Sequence, residues 1–170
     1  MGNEKVIVDV KLNGIEAKCN WHLASLASKK DNKTFDISFN HLVGHTEALM
    51  DNYGVARNES KILFTGCNHI LEGAKGSITK QNAKIIVFDK DAQGVASPIL
   101  RIDENDVKAS HGASTGQLDE SALFYMQQRC IDAKQARQLL IGAFMKEVLL
   151  TIEDEEQRNC LMDSVDSVLQ

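Results

Sequence analysis

Five histidines and four cysteines are the side chains of this sequence best suited to chemistry. Six of them fall in three short groups. Cys19-Asn20-Trp21-His22 is a Cys-x-x-His, His41 and His45 form a His-x3-His, and Cys67-Asn68-His69 is a Cys-x-His. Thiolate and imidazole together suit zinc or iron. A Cys2His2 finger places its Cys pair first and its His pair about a dozen residues later, and these spacings do not follow that order. A small metal-binding protein using Cys19, His22, His41, His45, Cys67 and His69 therefore requires all six to converge. The plainer reading makes the histidines hydrogen-bonded residues of strand ends and turns. It makes the four cysteines (Cys19, Cys67, Cys130 and Cys160), which contain no CxxC, small apolar side chains of a reducing compartment. The fifth histidine, His111, lies in Ser110-His111-Gly112-Ala113-Ser114-Thr115-Gly116, where small neighbours allow backbones to approach closely. On pattern alone it reads as a turn-stabilising histidine. The chain has no GxxxxGK[ST], HExxH, GxSxG or EF-hand loop, so no catalytic residue and no metal site are assigned.

The elements that must position these residues come in two textures. Residues 1–117 hold 14 Lys+Arg and 14 Asp+Glu, ten of the 11 glycines and the single proline. Residues 118–170 hold 5 Lys+Arg and 10 Asp+Glu, which accounts for the whole net charge of −5. The first texture carries short strand signals at residues 5–11, 34–40, 61–65, 84–89, 100–103 and 106–109, bounded by Gly, Asn and Asp. Phe35, Ile37 and Phe39 share one face of the second of these. Gly66 is expected to end the third, and residues 45–51 to form a short helical piece. No helix alternates with the strands, which argues against a βαβ sheet and leaves a sandwich, a barrel or a solenoid. No crisp repeat chooses among them.

The second texture is helical. Asp119 caps a first helix that ends by Arg129-Cys130, and Asp132 caps a second over residues 133–152. Its apolar positions Ala136, Leu139, Leu140, Ala143, Phe144 and Val148 step mostly by three and four, widened by Ile141, Met145 and Leu149. A stripe that wide packs on two sides or offers a docking face. A third helix starts in the acidic run 153–156, with Leu161, Val165, Val168 and Leu169 as its stripe.

An apolar fraction of 43% fills a core, and aromatics at 5% leave that core to aliphatic side chains. The negative charge argues against a nucleic-acid or anionic-membrane surface. No apolar run reaches the roughly 18 residues of a membrane span. The start, MGNEKVIVDV, has neither signal-peptide layout nor myristoylation pattern, so a cytoplasmic protein is expected.

Residues 106–120, Asp-Val-Lys-Ala-Ser-His-Gly-Ala-Ser-Thr-Gly-Gln-Leu-Asp-Glu, followed by Leu123-Phe124-Tyr125, closely resemble the SufD branch of the SufB/SufD family of iron–sulfur cluster assembly scaffolds. Ala136-Arg137-Gln138-Leu139-Leu140-Ile141 and Phe144-Met145-Lys146-Glu147-Val148-Leu149 extend the likeness downstream. The segment 41–46 and Ile62-Leu63-Phe64-Thr65-Gly66 extend it upstream, so that it spans roughly residues 35–152. The sequence departs from that pattern at Ala109, where many relatives carry Cys, at Cys130, where an Arg-Gly-Ile turn is usual, and at Cys67, where Asn is common.

The resemblance implies a mainly β fold: a right-handed parallel β-helix over residues 1–117, followed by a small α-helical domain over 118–170. Family members are more than twice as long, and residues 1–33 are read as a cap on the shortened solenoid. The resemblance further implies a non-enzymatic scaffold subunit whose helices dock a SufC-like ABC-type ATPase. Leu123, Phe124, Tyr125, Arg137, Phe144 and Val148 are the residues expected at that dock. The β-helix is expected to pair, near His111, with a SufB-like subunit or a second copy. His111 resembles the family's interface histidine, a proposed ligand of a transient iron–sulfur cluster, and imidazole suits a replaceable iron ligand. No tightly bound cofactor, nucleic acid or membrane partner is expected. A purely structural partner subunit without cluster ligands is the alternative, favoured by Ala109.

Overall fold

The computed structural model describes residues 2–169, with side chains as far as Val165. Eight ten-residue strands come first: β1 (Asn3–Leu12), β2 (Lys18–Ala27), β3 (Asn32–His41), β4 (Glu47–Ala56), β5 (Lys61–Ile70), β6 (Ile78–Val87), β7 (Gln93–Ile102) and β8 (Lys108–Gln117). Three helices follow: α1 (Glu120–Gln127), α2 (Ala133–Leu149) and α3 (Glu155–Leu169). Odd strands form one parallel sheet in the order β1-β3-β5-β7, and even strands form the other, β2-β4-β6-β8. Each coil thus gives one strand to each sheet, and the four coils make a short solenoid with the two sheets face to face.

The lumen explains why these segments are strands. Along β3, Phe35, Ile37, Phe39 and His41 are buried while the residues between them are not. Along β5, the same slots hold Ile62, Phe64, Gly66, Asn68 and Ile70. Parallel strands in register stack equivalent side chains, and the tilted Phe35 and Phe64 rings lie 5.5 Å apart. The coil length is nearly constant. Asn3, Asn32, Lys61 and Gln93 are successive partners, at steps of 29, 29 and 32 residues.

Gly66 does not end β5, because the strand runs on to Ile70. A Cβ there would lie 1.8 Å from Gln81 Nε2 and 2.9 Å from Met50 Sδ, so glycine is what lets the amide of the opposite strand cross the lumen. The helical piece expected at 45–51 is instead a turn leading into β4, with Ala48 and Met50 turned inward. Pairing with β2 and β6 overrides the local pattern. His45 occupies that turn at φ 59°, and Glu16 and Gly76 hold the matching left-handed positions of the neighbouring coils. Residues 1–33 are not a separate cap. They contain β1 and β2, the first coil, which pair residue by residue with the second.

The helices lie against the outer face of the even-strand sheet. Ile141 and Met145 of α2 bury themselves on Val55, with Ala24, Leu26, Phe88, Phe144 and Val165 around them. Asp132 caps α2 by accepting from the N–H groups of Lys134 and Gln135 at 2.8 and 2.9 Å. Asp119 caps α1, and Asp154 accepts from Gln157 N–H ahead of α3. The helix read over 133–152 ends at Leu149. Val168 and Leu169 of the expected third stripe lie outside the described side chains.

Candidate functional site

The solenoid ends in two edge strands, β7 and β8, and their chemistry differs. Lys108 N–H donates to Ser77 O at 3.0 Å, so Lys108 faces β6. Backbone groups alternate along a parallel strand. The N–H groups of Ala109, His111, Ala113, Thr115 and Gln117 therefore point away from the fold. In β7, Gln93 and Asp103 N–H donate to Ser60 and Ile70 O of the preceding coil, which turns position 98 outward. That position holds Pro98, the only proline of the sequence, and it has no N–H to offer. Proline is a standard means of blunting an edge. β8 has no proline and only Lys108 as a charge, and all ten of its residues are exposed. It is the unprotected edge of this end of the molecule.

His111 lies in the middle of that edge, in a strand rather than in the turn expected from pattern alone. It is the register partner of Gln81, which follows Met50 and Trp21 in the same lumen row. Its imidazole therefore shares the lumen face of the sheet but is exposed, because no coil follows. Ala109 is its nearest same-face neighbour toward the strand start, so the strand offers one imidazole and no thiol there.

The six upstream candidates do not meet. Cys19 points into the first coil, where burial raises its thiol pKa. His22 faces outward beside Asp51 at 3.7 Å. His41 is fully buried in the lumen, its Nδ1 2.7 Å from Thr46 Oγ1, and burial pulls its pKa down to about 4. His45 lies in an exposed turn. Cys67 and His69 lie on the outer face of the other sheet, where His69 Nε2 is 2.7 Å from Asp103 Oδ2. Among the described residues no three His, Cys, Asp or Glu side chains are placed to share a metal ion.

The residues expected at a helical dock divide three ways. Leu123, Phe124 and Arg137 line one groove with Phe88 and Leu118, and Arg137 stacks on the Phe88 ring at 5.6 Å. Phe124 and Tyr125 are 61% and 56% exposed, a large apolar surface for a helix as short as α1, and Arg129 covers the Tyr125 ring at 4.7 Å. Phe144 and Val148 are turned inward, Phe144 onto Tyr53 at 5.2 Å and Val148 at 5% exposure. They hold α2 in place beneath any partner. No helix among the described residues is long and apolar enough to cross a membrane.

Residues 2–144 match the family described as SUF system FeS cluster assembly, SufBD core domain. This chain belongs to the SufBD core domain family. It is similar to the iron–sulfur cluster assembly protein SufD of Bacillus subtilis, 29% identical over 134 residues covering 79% of this chain and 31% of that protein. It is similar to SufD of Escherichia coli, at 31% identity over 104 residues covering 59% of this chain and 24% of that protein. It is also similar to Protein ABCI7, chloroplastic, of Arabidopsis thaliana, at 28% identity over 181 residues covering 98% and 38%. The chain thus spans 24% to 38% of the length of these relatives.

Two sets of residues that shape the edge and the seat of α2 carry no local signal in the sequence. One is the polar floor beneath the β8 edge. Asn68 Nδ2 donates to Thr79 Oγ1 at 2.8 Å, and Gln81 and Asn68 are buried with Oε1 and Oδ1 unpartnered. The other joins α2 to the solenoid. Tyr53 hydroxyl donates to Glu147 Oε2 at 2.7 Å, and Lys84 Nζ lies 3.3 Å from the same oxygen and 5.0 Å from the Tyr53 ring centre. Burial and then the Glu147 carboxylate push the Tyr53 pKa up, while the Tyr53 hydroxyl pulls that of Glu147 down. A sequence separation of 94 residues carries no local signal of this pair.

Proposed function

We propose that this chain is a non-enzymatic scaffold subunit of a SUF-type iron–sulfur cluster assembly complex. It pairs through the β8 edge with another scaffold subunit, SufB-like or a second copy. It docks a SufC-like ABC-type ATPase through the helices, with Leu123, Phe124, Tyr125 and Arg137 at the contact and Phe144 and Val148 supporting them. The observation that carries the reading is the contrast between the two edges: Pro98 blunts β7, while β8 presents five outward N–H groups around His111. An unblunted edge of ten residues is suited to strand addition by a partner.

His111 is the proposed ligand of a nascent cluster at that interface. One imidazole supplies one iron ligand, so the remaining ligands come from the partner strand or from sulfide. The cluster is cargo, passed on and not retained. The alternative, a structural partner that ligates nothing, has Ala109 in its favour, since the position beside His111 lacks a thiol.

The test is co-purification followed by reconstitution. The chain is expected to bring down an ABC-type ATPase, and deletion of 118–170 to abolish this. Binding that survives the deletion rejects the dock. His111→Ala is expected to lower cluster yield in the reconstituted complex with subunit pairing intact. Unchanged yield assigns His111 a structural role and favours the alternative.

A further inference from the structure

Among the described residues the apolar seat of α2 lies on the even-strand sheet. Every α2 contact with the solenoid described above falls on β2, β4, β6 or the Phe88 turn that follows β6. Within that interface the α2 residue Glu147 is bonded to two strands at once, through Tyr53 of β4 and Lys84 of β6. Tyr53 and Lys84 are register partners, and the next partner in the row is Ser114 of β8. Glu147 therefore stands over a straight row that ends on the edge strand, three residues from His111. The parallel ladder spaces neighbouring strands about 4.8 Å apart, so Lys84 is one strand, and Tyr53 two strands, from the edge.

The two bonds differ in character. Lys84 and Glu147 are 46% and 55% exposed, so their ion pair is screened and weak. Tyr53 is 8% exposed, beneath Phe144, and its hydroxyl reaches the carboxylate in a part-buried setting. A hydrogen bond to a charged acceptor in that setting is the stronger link. Motion of α2 along the sheet is thus resisted by a rigid aromatic set in β4, with Lys84 recruiting β6.

We propose that Glu147 is a positioning residue that couples the helical dock to the β8 edge, its carboxylate clamping Tyr53 and Lys84 so that α2 and the β4-β6-β8 strands move as one body. This rests on the function proposed above, because it says how a displacement of the docked helices reaches the strand that carries His111. It makes Glu147 neither a ligand nor part of the contact with the ATPase.

The experiment is amide hydrogen exchange on the chain alone and in its complex with the ATPase, with and without ATP. In the chain alone, Tyr53→Phe and Glu147→Ala are expected to speed exchange across α2 by threefold or more with the β3 and β5 amides unchanged. Unchanged α2 exchange overturns the clamp, whatever the complex does. In the complex, ATP is expected to change exchange in β8 of the wild type. Both variants are expected to reduce that change at least threefold while ATPase affinity stays within twofold. Glu147→Gln, which still accepts from the Tyr53 hydroxyl, is expected to retain more of the response than Glu147→Ala. A full β8 response in Glu147→Ala, or loss of ATPase binding together with the response, overturns the coupling role. A wild-type complex that fails to form, or whose β8 amides ignore ATP, overturns the underlying functional reading instead.

Discussion

Gln81 and His111 are partners in one row of the solenoid, and one strand separates a sealed amide from an open imidazole. Gln81 is 1% exposed, whereas His111 is exposed because β8 is the last strand of its sheet. The same lumen face that packs three coils becomes, at the fourth, a surface on which a second molecule can complete the stack.

The proposed pairing through that edge would use its outward N–H groups. Ala113→Pro removes one of them and leaves the ladder to β6 intact, so the chain is expected to stay folded by circular dichroism. Its affinity for the partner scaffold subunit, measured by calorimetry, is expected to fall at least tenfold, about 1.4 kcal/mol. Ser114→Pro, whose N–H faces β6, is expected to lower the thermal midpoint of the chain itself. Equal effects of the two prolines on pairing and on folding contradict the assignment of the free edge.

The lumen crossing of Gln81 over Gly66 is a steric prediction. Gly66→Ala puts a methyl group where the Gln81 amide lies and is expected to cost about 1–3 kcal/mol in urea unfolding. Adding Gln81→Ala is expected to recover part of that loss, giving a coupling energy above about 1 kcal/mol in the double-mutant cycle. Additive losses contradict the contact.

His41 makes stability depend on pH. Its pKa falls from 6.5 to about 4 on folding, because burial disfavours the imidazolium. Between those values the unfolded chain binds a proton that the folded chain does not. Stability is therefore full above about pH 6.5 and declines as pH falls toward 4, by up to about 3 kcal/mol. His41→Gln is expected to flatten the profile between pH 5 and 6.5, above the range in which the carboxylates titrate. A slope unchanged in the variant locates the proton elsewhere.

Cys130 closes α1 in a left-handed conformation, at φ 63°. Ile131 N–H donates to Met126 O and Cys130 N–H to Gln127 O, the pair of bonds that defines a Schellman turn. Glycine suits that position and cysteine is strained in it. Cys130→Gly is expected to stabilise the helical segment by about 1 kcal/mol, read as slower amide exchange across α1. No change in exchange shows that the strain is relieved elsewhere.

The alternation of Phe35, Ile37 and Phe39, the caps Asp119 and Asp132, and the charge shift after residue 117 were all readable along the chain, because each is a local periodicity or a local hydrogen bond. The resemblance around His111 was readable because it is a contiguous string. The solenoid repeat was not. A lumen row such as Val8, Ile37, Gly66 and Pro98 shares a direction and not a residue type, so the repeat of about 30 residues leaves no recurring string. For the same reason β2 carries no local strand signal, and local rules that ignore the neighbouring coils end a strand at Gly66 and place a helical piece at residues 45–51.

By itself, then, the sequence determined the two textures, the helix starts, the family likeness and the identity of the one histidine at the end of the strand region. Tertiary structure decided that His111 is an edge residue and not a turn, that the other histidines and the cysteines are dispersed, and that Tyr53, Lys84 and Glu147 meet. The reason is physical. Edge, lumen and outer face are properties of how coils stack and helices dock, which bring together residues 29 to 94 positions apart, where no local pattern reaches.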